Sequence, residues 1–232
     1  MSRIYVPTSG AADWSRLLAR PRHWKAGFSA MSVAQSWESA SGALPPEISA
    51  LLDSSPDTAL HGAGLLLAIP EYQVELPGGS RPTQTDVFAL VRNTAGLAAI
   101  AVEGKVDETF GPTVSAKRLE GAAERLASLH RLLEIDETAT AEIRYQLLHR
   151  TAAAIILAQR FHARSAVMVV QSFSPHANWF DDFAAFAGLF GQEAVQGRLV
   201  PAGVRNGVPL YLGWATGDQR FRKDLSVVPP AL

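Results

Sequence analysis

The chain contains no cysteine. Disulfides and thiolate zinc sites are thereby excluded, and any metal must be held by oxygen or imidazole ligands. Long apolar runs are missing too. The longest, such as Gly64 to Pro70 and Thr151 to Ala158, are too short to span a bilayer. Met1 to Pro7 carries no apolar stretch resembling a signal peptide, so a cytoplasmic protein without a membrane partner is expected. Nor is there an excess of one charge: 21 Lys and Arg stand against 22 Asp and Glu, a formal net charge of −1. That balance argues against a broad basic surface for nonspecific nucleic-acid binding, but leaves room for an enzyme with a local basic groove. Basic residues do cluster, at Arg16 to Lys25, Arg144 to Arg164 and Arg220 to Lys223. Gly78-Gly79-Ser80 lacks the following Lys-Ser/Thr of a phosphate loop, and no Gly-x-Ser-x-Gly elbow is present. His149 has Tyr145 and Ala153 at its helical neighbours, so a His-x-x-x-His zinc pair is absent.

What is present suits a globular enzyme-sized unit. The chain has 232 residues, 47% apolar and 19% charged, enough for a substantial core and read here as one domain over 1–232. Ser29 to Trp37 has helical spacing with a Ser cap, and Pro45-Pro46 open a short helix from Glu47 to Leu52. Gly64 to Leu76 reads as a strand pair or a bent strand interrupted by Pro70. Pro77 to Pro82 is a loop, and a hairpin over Thr85 to Val106 follows it. Two long helices are predicted over 113–134 and 138–161, the second capped by Asp136 or Thr138. Ala166 to Phe173 is a buried strand, Asn178 to Phe190 a helix, and Pro209 to Ala215 a late strand. This order of elements predicts an α/β fold with a mixed central sheet flanked by helices.

The hairpin carries the chemistry. Asn93-Thr94-Ala95-Gly96 joins two apolar runs with turn residues. If Thr94 and Ala95 form a two-residue loop, Asp86 pairs with Glu103 across the strands, with Cβ atoms roughly 5 Å apart. Lys105 then projects from the same face. Like charges so placed repel unless a cation or proton lies between them. A one-residue change in the loop would send the acids to opposite faces. The flanking residues, Val87 to Val91 and Ala98 to Val102, lack polar alternation, as in central strands covered on both sides. Charges entering such a sheet need partners, whether as a catalytic site or as a structural ion-pair network with Lys105 bridging two acids. Asp107 and Glu108 are expected at the solvated strand exit. Gln146, His149 and Arg150 share one helix face, where they could contact substrate phosphates or simply form a polar face. Trp14, Trp24, Trp37, Trp179 and Trp214 are expected mostly in the core.

Asp86 followed by Glu103-Gly104-Lys105 on the next strand, then a helix and a buried strand, resembles the PD-(D/E)xK or restriction-endonuclease-like nucleases over roughly 44–173. Residues 1–43 and 174–232 would be helical N-terminal and C-terminal additions to that core. Trp24 to Ser29, Trp37, Arg144 to Arg150 and Leu212-Gly213-Trp214 look like an uncharacterised bacterial branch. Thr85 stands where the family name has proline. The acid often supplied by a preceding helix has Glu47 as its candidate here and Glu38 as a weaker one. The resemblance implies that Asp86 and Glu103 bind magnesium or manganese, and that Lys105 orients or activates the attacking water and stabilises phosphate charge. Nucleic acid is the implied partner and a phosphodiester the implied substrate. The alternative is a nuclease-fold protein without chemistry, serving as a binding or structural module. The oligomeric state is open, a homodimer included.

Overall fold

The structure, a computed structural model, describes residues 3–6, 8–19, 21–117 and 123–225. Six strands form one mixed sheet: β1 (Gly64–Val74), β2 (Thr83–Asn93), β3 (Gly96–Lys105), β4 (Ser165–Ser172), β5 (Leu199–Arg205) and β6 (Val208–Thr216). Their spatial order is β1-β2-β3-β4-β6-β5. The first three strands are antiparallel neighbours, β4 runs parallel to both β3 and β6, and β5 closes the sheet antiparallel to β6. This is the expected α/β fold with a mixed sheet flanked by helices.

Helices cover both faces because both faces of the central strands are apolar. On one side, α4 (Tyr145–Arg160) packs on β2 and β3 in the layer of Phe88, Leu90, Ala99 and Ala101, with α3 (Ala123–Leu133) against α4 and α5 (Phe180–Gly188) against Trp214 of β6. On the other, α1 (Ser29–Ser39) packs on β3 and α2 (Pro46–Asp53) on β6, in the layer of Val87, Ala89, Val91, Ile100 and Val102. The alternation of the hairpin's side chains thus divides the core into two layers.

Several elements depart from the sequence reading. Pro70 does not interrupt β1. It lies within an edge strand, two residues from Ala68, whose N–H donates outward to Arg3 O at 2.7 Å. Proline's missing donor therefore belongs to the side facing away from β2, where the ladder loses nothing. Strand β5 was not foreseen, although Asn206-Gly207, with φ of 48° and 78°, is a hairpin turn between it and β6. The helix expected over 138–161 begins only at Tyr145. Val114 and Ser115 donate to the carbonyls of Ile143 and Ala141, and Tyr145 N–H donates to Pro112 O, so an extended pairing holds this segment out of the helix. Of the helix expected over 113–134, residues 118–122 lie outside the described residues, and Thr113 pairs as a β-bridge with Arg144. Ser29 does not cap α1 through its side chain; its N–H donates to Glu108 Oε1 at 2.7 Å.

Phe88 sits between the rings of Tyr72 and Phe161, with centroids 5.3 and 4.9 Å away, and is fully buried. Phe88→Ala is expected to cost about 3–5 kcal/mol through lost burial and the cavity left behind. A urea unfolding midpoint that barely moves would contradict this packing.

Candidate active site

The hairpin turn is the two-residue one. Asn93 pairs with Gly96, and the register runs unbroken to Val87 opposite Val102. The paired register ends there; continued by one step it sets Asp86 against Glu103, and both line one cleft with Gln146 and Arg150 of α4. Asp86 reaches across the pair, its Oδ2 accepting the Gly104 N–H at 2.7 Å. Lys105 follows Glu103 on the same face, and its Nζ donates to Glu103 Oε1 at 2.5 Å. Gly104 points to the other face, where a Cβ would lie 2.4 Å from Val33 Cγ2. Helix α1 therefore packs directly on the strand at this point and leaves no room for a side chain.

Helix α4 supplies the remaining partners of Glu103. Gln146 Nε2 donates to its Oε1 at 2.7 Å, and Arg150 Nε donates to its Oε2 at 2.5 Å. Arg150 Nη1 also donates to Thr83 Oγ1 at 2.5 Å, and that hydroxyl lies 2.7 Å from His149 Nδ1. The i, i+4 spacing of Gln146 and Arg150 brings both onto one carboxylate. Five expected residues thus converge: Asp86, Glu103, Lys105, Gln146 and Arg150. His149 stands one step away, joined through Thr83.

A sixth group was not foreseen. In the β1–β2 ladder Pro70 pairs with Val87 and Tyr72 with Thr85, which puts Glu71 opposite Asp86. Three adjacent strands therefore carry Glu71, Asp86 and Glu103 at one level. Glu71 has a φ of 52°, a left-handed conformation that costs a non-glycine residue roughly 1–2 kcal/mol. Its Oε2 accepts from Gln84 Nε2 at 2.7 Å. The first two strands are joined by a long connection over 75–82, which does not fix register as a two-residue turn does, so this placement was not legible in the sequence. Glu71, Asp86, Glu103, Lys105, Gln146 and Arg150 all line one cleft of about 360 Å³, closed on its other side by Phe28, Ser29 and Ala30.

The helix acids proposed from the resemblance lie elsewhere. Glu47 accepts from Gln171 Nε2 at 2.6 Å and Ser36 Oγ at 3.1 Å beneath the opposite sheet face. Glu38 accepts from Trp14 Nε1 at 2.8 Å. Neither lines the cleft that holds Asp86 and Glu103, where the further acid is Glu71. Glu108 lines the cleft, but its two oxygens accept from Ser29 N–H and Val106 N–H. Asp107 is exposed and engages Asn178 and Arg222. Trp14, Trp37 and Trp214 are buried in the core, whereas Trp24 and Trp179 are half-buried.

The electrostatics separate the three acids. Burial disfavours the Glu103 anion, but Arg150 and Lys105 outweigh it and hold its pKa down, at about 2. Burial followed by the Glu103 charge pushes Asp86 up to about 7. Burial followed by the Asp86 charge pushes Glu71 up to about 9. Near neutrality the set keeps Glu103 ionised while Glu71 retains its proton. Acids with raised pKa values bind protons more tightly folded than unfolded, so the folded state loses stability as pH rises from their ordinary values through their raised ones. In metal-free buffer, the melting temperature of the wild-type protein is expected to fall between about pH 5 and about pH 9, and that of Glu71→Gln to fall less. Parallel pH profiles for the two proteins would refute the coupling. Arg150→Met, which removes one of the two cations paired with buried Glu103, is expected to lower stability in a chemical unfolding measurement, by up to about 3 kcal/mol because Lys105 still pairs with the carboxylate.

The family described as domain of unknown function (DUF6946) matches residues 7–219. No curated protein and no solved structure matches the chain. The match takes in all six strands and the whole cleft, and the chain belongs to the DUF6946 family.

Proposed function

We propose that this protein is a metal-dependent phosphodiesterase of the PD-(D/E)xK, restriction-endonuclease-like kind, acting on nucleic acid. The observation that carries the reading is the hairpin register, which brings Asp86, Glu103 and Lys105 onto one cleft floor. Glu71 joins them from β1. The cleft opens near the carboxyl end of β3, where the sheet changes from antiparallel to parallel pairing, a usual place for a ligand in α/β proteins.

The donor set suits a hard divalent cation. The acids that converge on the cleft floor, Glu71, Asp86 and Glu103, offer carboxylate oxygens, and His23 lines the same cleft. Asp86 and Glu71 each have one oxygen engaged by a neighbouring donor and one not so engaged. Among the described residues no group of three or more acid or imidazole side chains is arranged to hold a metal ion. Magnesium keeps several waters and is commonly held by one or two carboxylates together with substrate phosphate. When bound, such an ion lowers the pKa of a coordinated water and offsets charge on the phosphate. Asp86 and Glu71 would hold it, while Glu103 stays bonded to Lys105, Gln146 and Arg150. Lys105, held by Glu103 and stacked 4.8 Å from the Phe110 ring centroid, would orient the attacking water and meet the developing phosphate charge. Arg150 and Gln146 fix the Glu103 carboxylate and so set the position of Lys105.

One observation favours a second reading, an inactive module. Three side chains already engage the Glu103 carboxylate. A closed ion-pair network of that kind needs no metal.

Manganese separates the two readings. In the phosphodiesterase, saturating Mn²⁺ at about 100 times its Kd raises stability by roughly 2.7 kcal/mol, and Asp86→Asn abolishes the gain. With Mg²⁺ or Mn²⁺ the wild-type protein is expected to cut DNA or RNA, and Lys105→Ala to slow cleavage by about a hundredfold or more while its melting curve stays cooperative. Wild-type protein that neither gains stability from the ion nor cuts single- or double-stranded substrates would leave the inactive module as the answer.

A further inference from the structure

A second cleft, of about 480 Å³, adjoins the first and shares His23, Glu108, Thr109 and Gln146 with it. Its chemistry differs from that of the acid floor. Lys117 Nζ stands 3.7 Å from the centroid of the Tyr145 ring, and no carboxylate among the described residues pairs with it. Burial, followed by the nearby Arg125 guanidinium, lowers its proton affinity. The ring fixes the ammonium by a cation–π contact rather than by an anion, which leaves its donors available.

A second donor faces the same space. Arg150 Nη1 donates to Thr83 Oγ1, so the Thr83 hydroxyl proton is free to go to His149 Nδ1 at 2.7 Å. With Thr83 as the donor in that bond, the neutral imidazole carries its proton on Nε2. Burial, followed by the Arg150 charge, holds His149 neutral. His149 lines the second cleft, and no described residue accepts from its Nε2. Among the described residues the one acidic side chain lining this cleft, Glu108, has both oxygens occupied by the Ser29 and Val106 N–H groups. The cleft is thus a donor-rich space beside the acid floor.

We infer that this second cleft binds the phosphate next to the scissile one on a nucleic-acid strand, with the Lys117 ammonium and the His149 Nε2–H as its donors. The inference rests on the phosphodiesterase reading for the identity of the strand. A strand laid from one cleft to the other would pass Gln146, which lines both. Lys117 would act as a point charge on phosphate, contributing affinity without sequence preference.

Binding in metal-free buffer tests this without cleavage. A fluorescent single-stranded oligonucleotide is titrated with the full chain at several salt concentrations. Lys117→Gln is expected to bind roughly three- to tenfold more weakly at low salt, with the slope of log Kd against log salt smaller by about one counterion. Lys117→Arg, which keeps the charge and the stacking, is expected to restore the slope. Equal slopes for wild type and Lys117→Gln overturn the inference, as does a wild-type chain that binds no oligonucleotide. Loss of slope in both substitutions overturns it as well, because that pattern reflects packing rather than charge. The two readings fail separately: inert protein that still shows the Lys117-dependent slope removes the catalysis and keeps the strand site.

Discussion

A turn of two residues between β2 and β3 sets everything else in the cleft. Because side chains alternate along a strand, the Asn93–Gly96 closure decides at once which apolar residues face α4 and which face α1. It also decides that Asp86, Glu103 and Lys105 share the α4 face. A slip of one residue would send Asp86 and Glu103 to opposite faces of the sheet, one of them beneath α1. The core and the site are therefore fixed by the same constraint, and neither could shift register without the other.

The charges inside the cleft form an unequal set. Glu71, Asp86 and Glu103 face Lys105 and Arg150, three acids against two bases. Glu103 takes both cations and is stabilised as an anion. Glu71 and Asp86 are left with each other, and burial pushes both toward the protonated form. A buried surplus of negative charge is expensive to keep without a proton or a cation. The left-handed backbone at Glu71 adds to that expense. Features that cost stability and cluster in one cleft are common at working sites, and this is the physical ground for reading the floor as more than a structural network.

The hairpin itself was legible because local chemistry specified it. Asn93 and Gly96 mark the turn, the flanking runs mark a doubly covered strand pair, and counting outward places Asp86 against Glu103. Gln146, His149 and Arg150 could be placed on one helix face by spacing alone. Glu71 could not be found this way. Its position depends on the pairing of β1 with β2, which includes a shift between Leu65 and Leu67 and follows a long connection. The helix acids failed for a related reason: Glu47 and Glu38 lie on helices that pack on the opposite layer, and which layer a helix joins is a tertiary matter. The late start of α4 has the same origin, since the backbone of 112–115 pairs with 141–145 and competes with helix formation.

By itself, the sequence determined the α/β class, the two-layer division of the hairpin and the opposition of Asp86 to Glu103, because alternation and turn chemistry act over a few residues. Only the tertiary structure decided that Glu71 joins the acids, that Arg150 and Gln146 close on Glu103, and that Lys117 and His149 face a cleft of their own. Those meetings join strands and helices distant in the chain, and their geometry follows from ladder register and helix packing, which no local spacing encodes.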